Sequence, residues 1–183
     1  MASGTTILGL PIPSSSPIFV TLVVIHILFG IAVVLSGLMA MLSQKGRGRH
    51  STFGKAYFWL LAGVGVTMAA LSTMRWSEDY PLFILGVLAL TCAYTGRRLR
   101  RKPRLHLVSM GASYVLMLTA FYVDNGKVLP LWKELPSLAY WLLPGALGIP
   151  LIIWASFRHP IVVGHNGSRW HLNWERRAPT TYR

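Results

Sequence analysis

Five long apolar runs, separated by short polar segments, constrain this chain more than any other feature. A helix needs roughly 20 apolar residues to cross the hydrocarbon core of a bilayer, and a helix satisfies all its backbone polar groups internally. The runs lie at about 18–42, 56–76, 81–96, 105–123 and 138–157. The sequence therefore predicts an all-α integral membrane protein, a five-transmembrane-helix bundle that occupies residues 18–157.

The two ends of the chain differ from this core. Residues 1–17 contain no Lys or Arg, so they lack the basic region of a secretory signal peptide, and the run that follows is too long for one. We therefore expect the first run to be a retained helix preceded by an extracytoplasmic segment. The third run is short, and we expect it to begin earlier, near Tyr80, or to lie in a thinner part of the bilayer.

The distribution of charge predicts the orientation. Only 13% of the residues are charged, yet the net charge is +13, whereas soluble domains carry roughly 25% charged residues. Fifteen of the 18 Lys and Arg residues fall on one side of the predicted helices and three on the other. The positive-inside rule then places the N-terminus outside and the C-terminus, with its basic tail 158–183, in the cytoplasm. A bacterial inner membrane is the location that we expect.

Polar residues inside the predicted helices are candidates for function, because ionisable groups are costly in the bilayer. His26 shares a helix face with Gly30 and Gly37, so it either makes a structural hydrogen bond at a helix contact or binds a ligand or proton. Asp124 ends a face of the fourth helix that also carries His106 and Ser113. Asp124 can therefore meet His26 or Arg75 near the outer interface, and an acid–base pair with His26 would be an enzymatic site.

His50 and His106 are expected at the same, cytoplasmic side of the bundle. Two histidines from neighbouring helices can be axial ligands of a b-type haem or can bind a metal. Alternatively, they can hold a lipid phosphate together with Arg49 and Arg104, or they can be ordinary interfacial residues. The haem interpretation requires that the second and fourth helices face each other at this end.

The basic run 97–104 is first of all a determinant of topology, and its functional alternative is the binding of anionic lipid headgroups. We do not expect nucleic acid as a partner, because no nucleic-acid-reading module accompanies the run. The sequence contains no P-loop, GxSxG, HExxH or dinucleotide fingerprint. It therefore favours a protein that is not an enzyme.

Several short motifs together resemble a family of small bacterial predicted membrane proteins, catalogued as domain of unknown function 2306. The motifs are His26-Ile-Leu-Phe-Gly30, Leu35-Ser-Gly37, Lys45-Gly46, His50, Gly54-Lys-Ala-Tyr57, His106 with Ser113-Tyr114, and the Pro144–Pro150 region. The resemblance covers roughly residues 18–157 and implies a multi-helix bundle, but it brings no established activity and no catalytic residue. One departure is Ser51, where family members often have an Arg after the His.

These observations lead to two functional expectations. The first is a non-enzymatic membrane module, accessory, lipid-interacting or related to transport, with anionic lipids at the cytoplasmic face and either a second copy or another membrane subunit as partners. The alternative is a small redox protein that binds a b-type haem or a metal through His50 and His106.

Overall fold

A computed structural model describes residues 5–7, 10–12, 16–44, 48–130 and 132–158 of the chain. Within them lie a short antiparallel hairpin and five long helices. The elements are β1 Thr5–Ile7, β2 Leu10–Ile12, α1 Pro17–Leu42, α2 Arg49–Met74, α3 Trp76–Arg98, α4 Pro103–Asn125 and α5 Ser137–Arg158. In the hairpin, Thr5 is opposite Ile12 and Ile7 is opposite Leu10. The basic tail beyond residue 158 lies outside the described residues.

The five helices are each long and apolar enough to cross a membrane, so the predicted helical membrane domain is confirmed. The hairpin is a small correction to the all-α prediction, since alternating polarity over three residues is too short a signal for a strand. The orientation of the termini remains a prediction.

Two helices are longer than their apolar runs. α2 begins at Arg49, so the basic stretch up to Lys55 is helical and was not predicted as such. α3 begins at Trp76 and includes Pro81 at its sixth position, and a proline there has no N–H to donate to the carbonyl four residues earlier. The 23 residues of α3 therefore suffice to span the bilayer without local thinning.

Successive helices pack against one another, with α1 on α2, α2 on α3, α3 on α4 and α4 on α5. The main core joins the first four helices, and its buried members are Val33, Tyr57, Leu61, Ala93 and Met117. Glycines allow close approach where large side chains meet a helix. Gly37 lies against the rings of Tyr57 and Tyr114, and Gly63 lies against Phe29. Small residues at helix contacts serve the same purpose in membrane proteins generally.

Candidate functional site

His50 and His106 occupy matching places in two helical hairpins. His50 lies in the first turn of α2, and its Nδ1 is 2.8 Å from the carbonyl oxygen of Ala40 in the last turn of α1. His106 lies in the first turn of α4, and its Nδ1 is 2.8 Å from the carbonyl oxygen of Gly96 in the last turn of α3. The last carbonyls of a helix have no intrahelical donor. Each histidine therefore caps the helix that precedes its own.

These two hydrogen bonds determine which ring nitrogen carries the proton. A carbonyl oxygen only accepts, so each Nδ1 must be the protonated, donating nitrogen. A neutral imidazole protonated at Nδ1 has its lone pair at Nε2. Metal-ligating histidines commonly show the same pattern, in which the nitrogen that does not bind the metal donates to a carboxylate or a backbone carbonyl.

The two rings are neighbours in a T-shaped arrangement. Their centroids are 6.2 Å apart, and the ring planes cross at 83°. α2 and α4 therefore meet at the end of the bundle where both helices begin, which is the condition that the haem interpretation requires.

The matching extends well beyond the histidines. Tyr57 and Ser113 are 56 positions apart, and the same separation relates pairs of residues throughout the α1–α2 and α3–α4 hairpins. These pairs are Val33 with Ala89, Ala40 with Gly96, His50 with His106, Tyr57 with Ser113, and Leu61 with Met117. Apart from the two half-buried histidines, every member of these pairs is buried. The two hairpins thus form a parallel repeat, a type of symmetry found in many membrane bundles.

One matched pair bonds directly across the repeat. The hydroxyl oxygens of Tyr57 and Ser113 are 2.8 Å apart, and both side chains are buried. Each member of the pair lies two helical turns further along its helix than the histidine, since it follows that histidine by seven positions. This bond holds α2 against α4 and so supports the spacing of the two rings.

We expect Tyr57→Phe to lower the stability of the detergent-purified protein by about 1 kcal/mol, because it leaves the buried Ser113 hydroxyl without this partner. The double variant Tyr57→Phe/Ser113→Ala should recover part of the loss, since both polar groups are then removed. Thermal unfolding of the two single variants and the double variant measures this coupling. If the losses of stability in the two single variants simply add in the double variant, the two residues are not coupled.

His26 makes a helix–helix hydrogen bond. Its Nδ1 is 2.8 Å from the hydroxyl oxygen of Thr67 on α2, and that hydroxyl also lies 3.0 Å from the carbonyl oxygens of Gly63 and Val64. Because the single hydroxyl proton is donated to those carbonyls, His26 is the donor to Thr67. His26 therefore joins α1 to α2 in the half of the bundle remote from His50.

Asp124 is not brought into contact with His26. Its carboxylate accepts a hydrogen bond from the side-chain amide of Asn125 at 3.2 Å. Arg75 forms an ion pair with Glu78, within the described residues, and its guanidinium lies 5.8 Å from the ring centroid of Phe19. The geometry gives the acid–base pairing of His26 with Asp124 no support.

The two arginines that were grouped with the histidines as a phosphate site are both exposed. Arg49 is exposed at the first position of α2, directly after Gly48, whose φ of 115° lies in the left-handed region. Arg104 is exposed on α4, two residues before His106. Two residues along an α-helix correspond to roughly 160° around its axis. Arg104 is thus on the opposite side of α4 from the histidine pair.

The donor set at the histidine pair has two members. No group of three or more His, Cys, Asp or Glu side chains suited to a metal ion occurs among the residues that the structure describes. A structural zinc ion needs four protein ligands. Haem brings four equatorial nitrogens of its own and needs at most two axial protein ligands.

The five apolar helices define a multi-pass helical membrane protein. The chain matches the family described as predicted membrane protein (DUF2306) over residues 23–157. It belongs to that family, as its motifs predicted. The match includes His26, His50, His106 and Asp124. No curated protein and no solved structure matches the chain.

Proposed function

We propose that this protein is a small b-type redox protein of the membrane, in which His50 and His106 would hold one haem. The observation that carries the proposal is the crossed pair of rings with centroids 6.2 Å apart. A metal centre between two imidazole nitrogens, at about 2.0–2.1 Å from each, separates the ring centroids by roughly 6 Å. The centroid spacing of the two rings is compatible with a metal centre held between them.

The hydrogen bonds of the two rings support the same assignment. Each Nδ1 donates to a helix-end carbonyl, so each ring is held in the tautomer that presents a lone pair from Nε2. The two carbonyls belong to α1 and α3, so all four helices of the repeat contribute to the arrangement. When bound, haem iron supplies one-electron oxidation and reduction.

The positive-inside rule assigns the histidine pair to the cytoplasmic half of the membrane, because both residues flank the most basic segments of the chain. The membrane that we propose is a bacterial inner membrane. An electron carrier placed there would exchange electrons with donors on the cytoplasmic side or within the bilayer.

The test is the absorption spectrum of protein expressed with added 5-aminolaevulinate and purified in detergent, before and after dithionite. We expect a Soret band and sharpened α and β bands on reduction, with about one haem per chain from the two-ligand set. A featureless spectrum that, after titration with haemin, shows only the absorption of free haemin would overturn the proposal.

A second candidate is a non-enzymatic accessory module that associates with another membrane subunit through α1. The observation in its favour is Gly30, where a Cβ atom would meet nothing within 4 Å. An unfilled glycine on a transmembrane helix suits close approach by a helix of another chain. A partner that co-purifies with the wild type should be lost in Gly30→Leu, and survival of the complex would exclude this contact.

A further inference from the structure

An apolar cleft of about 490 Å³ lies between α4 and α5. The side chains that line it include Val108, Ala112 and Val115 from α4 and Ile149, Ile153 and Phe157 from α5. The lining also includes Ser156, but its hydroxyl donates to the carbonyl oxygen of Ile152 at 2.7 Å. The interior of the cleft is therefore chemically a hydrocarbon surface.

One basic residue continues the α4 wall of this cleft. Arg104 precedes Val108, Ala112 and Val115 by four, eight and eleven positions, and these spacings place all four residues on one face of the helix. Arg104 is exposed, and it follows the exposed Arg101 and Lys102 in the turn before α4. The cleft thus has a positively charged mouth at the end where α4 begins.

No carboxylate of the described residues neutralises this mouth. Glu78 and Asp79 lie in the first turn of α3, Asp124 lies at the end of α4, and Glu134 lies in the segment after α4. All four are at the opposite end of the helical bundle, because α3 and α4 run antiparallel through a short connection. The charge at the mouth is therefore available to an anion from outside the protein.

The dimensions match one leaflet of a bilayer. From Arg104 to Val115, α4 rises by roughly 16 Å, which is about half of the ~30 Å hydrocarbon core. An acyl chain that begins at the level of Arg104 would follow the cleft to its inner end near Val115. Basic pockets between transmembrane helices are sites at which anionic phospholipids bind.

We propose that this cleft is a binding site for an anionic phospholipid, with an acyl chain between α4 and α5 and the headgroup phosphate at Arg104. Arg104 lies on the opposite side of α4 from His106, so this site and the haem site are separate. The proposal stands whether or not haem is bound.

The test is native mass spectrometry of the detergent-purified full chain after incubation with phosphatidylglycerol or with phosphatidylcholine of the same acyl chains. We expect the wild type to retain phosphatidylglycerol preferentially. Arg104→Gln should lower that retention about fivefold and leave phosphatidylcholine unchanged, as expected for one basic residue at an anionic headgroup. Ala112→Phe and Val108→Phe, which fill the cleft, should lower the retention of both lipids.

Lys127→Gln is the matched control, because Lys127 is an exposed lysine just beyond the other end of α4, and it should behave like the wild type. Excess glycerol 3-phosphate should leave bound phosphatidylglycerol in place, since the headgroup alone does not occupy the cleft. Equal retention of the two lipids by the wild type would overturn the proposal. So would an Arg104→Gln variant that is no different from Lys127→Gln, or displacement of the lipid by glycerol 3-phosphate.

Discussion

Substituting either His50 or His106 with alanine is expected to abolish the bis-histidine haem spectrum. Each variant removes one of the two proposed haem ligands, and no group of three or more His, Cys, Asp or Glu side chains occurs among the described residues to supply a replacement. The loss should appear as disappearance of the sharp reduced α and β bands in the dithionite difference spectrum. Both variants should lose these bands, because a low-spin b-type centre needs both ligands.

Two controls separate the loss of a ligand from the loss of the fold. His106→Ala also removes the donor to the Gly96 carbonyl, and we expect that cap to contribute about 1 kcal/mol. His106→Gln keeps an N–H donor of similar length but supplies no imidazole, so it should remain folded and still lack the bands. His26→Ala removes a histidine that bonds Thr67 elsewhere in the bundle, and it should retain them. Unchanged bands in His106→Gln would contradict the assignment.

Enlarging Gly37 is expected to have a large effect on stability. A Cβ atom at this position would lie 2.6 Å from Cε2 of Tyr114 and 3.0 Å from Cδ2 of Tyr57. The Tyr114 ring has little room to move, because its hydroxyl donates to the Val34 carbonyl at 3.2 Å. Gly37→Ala should therefore destabilise the protein by about 1–3 kcal/mol, the usual cost of overpacking, and Gly37→Leu should destabilise it further.

Gly30 provides the control on the same helix, because a Cβ atom there meets nothing within 4 Å. Gly30→Ala should leave the midpoint of thermal unfolding in detergent unchanged or raise it slightly, since alanine favours the helix. Replacing Tyr114 by leucine in the Gly37→Ala background should restore part of the lost stability by making room for the new methyl group. Equal stability of Gly37→Ala and Gly30→Ala would show that α1 does not approach Tyr114 in this way.

Hydropathy predicts the membrane helices well, because it depends on single segments rather than on contacts between them. Hydropathy predicts the end of α1 correctly, but it does not predict the start of α2. The segment Arg49–Lys55 is polar enough to be predicted as a loop. Those residues are helical because a transmembrane helix can extend beyond the lipid once its hydrogen-bonded core exists. α3 is longer than its apolar run for the same reason.

The contacts between helices could be predicted only in part. The positions of His50 and His106 at two helix starts on one side suggested that they might meet, but hydropathy does not say which helices face each other. The histidines bond to the backbone carbonyls of Ala40 and Gly96. Every residue has a backbone carbonyl, so the sequence does not indicate which one a histidine will bond. The bonds of Tyr57 with Ser113 and of His26 with Thr67 join helices distant in sequence. One signal was available in the sequence, namely the repeat of His50 and His106 at a spacing of 56 residues.

The most direct test of the central claim, that His50 and His106 present crossed rings to one haem, is the low-temperature electron paramagnetic resonance spectrum of the oxidised protein. Imidazole planes that cross at close to a right angle, as these do at 83°, make the two iron orbitals that accept ligand π-density nearly equal in energy. We therefore expect a highly anisotropic low-spin ferric signal with one dominant low-field feature. A high-spin ferric signal, or no haem retained by the protein after incubation with excess haemin, would contradict the account.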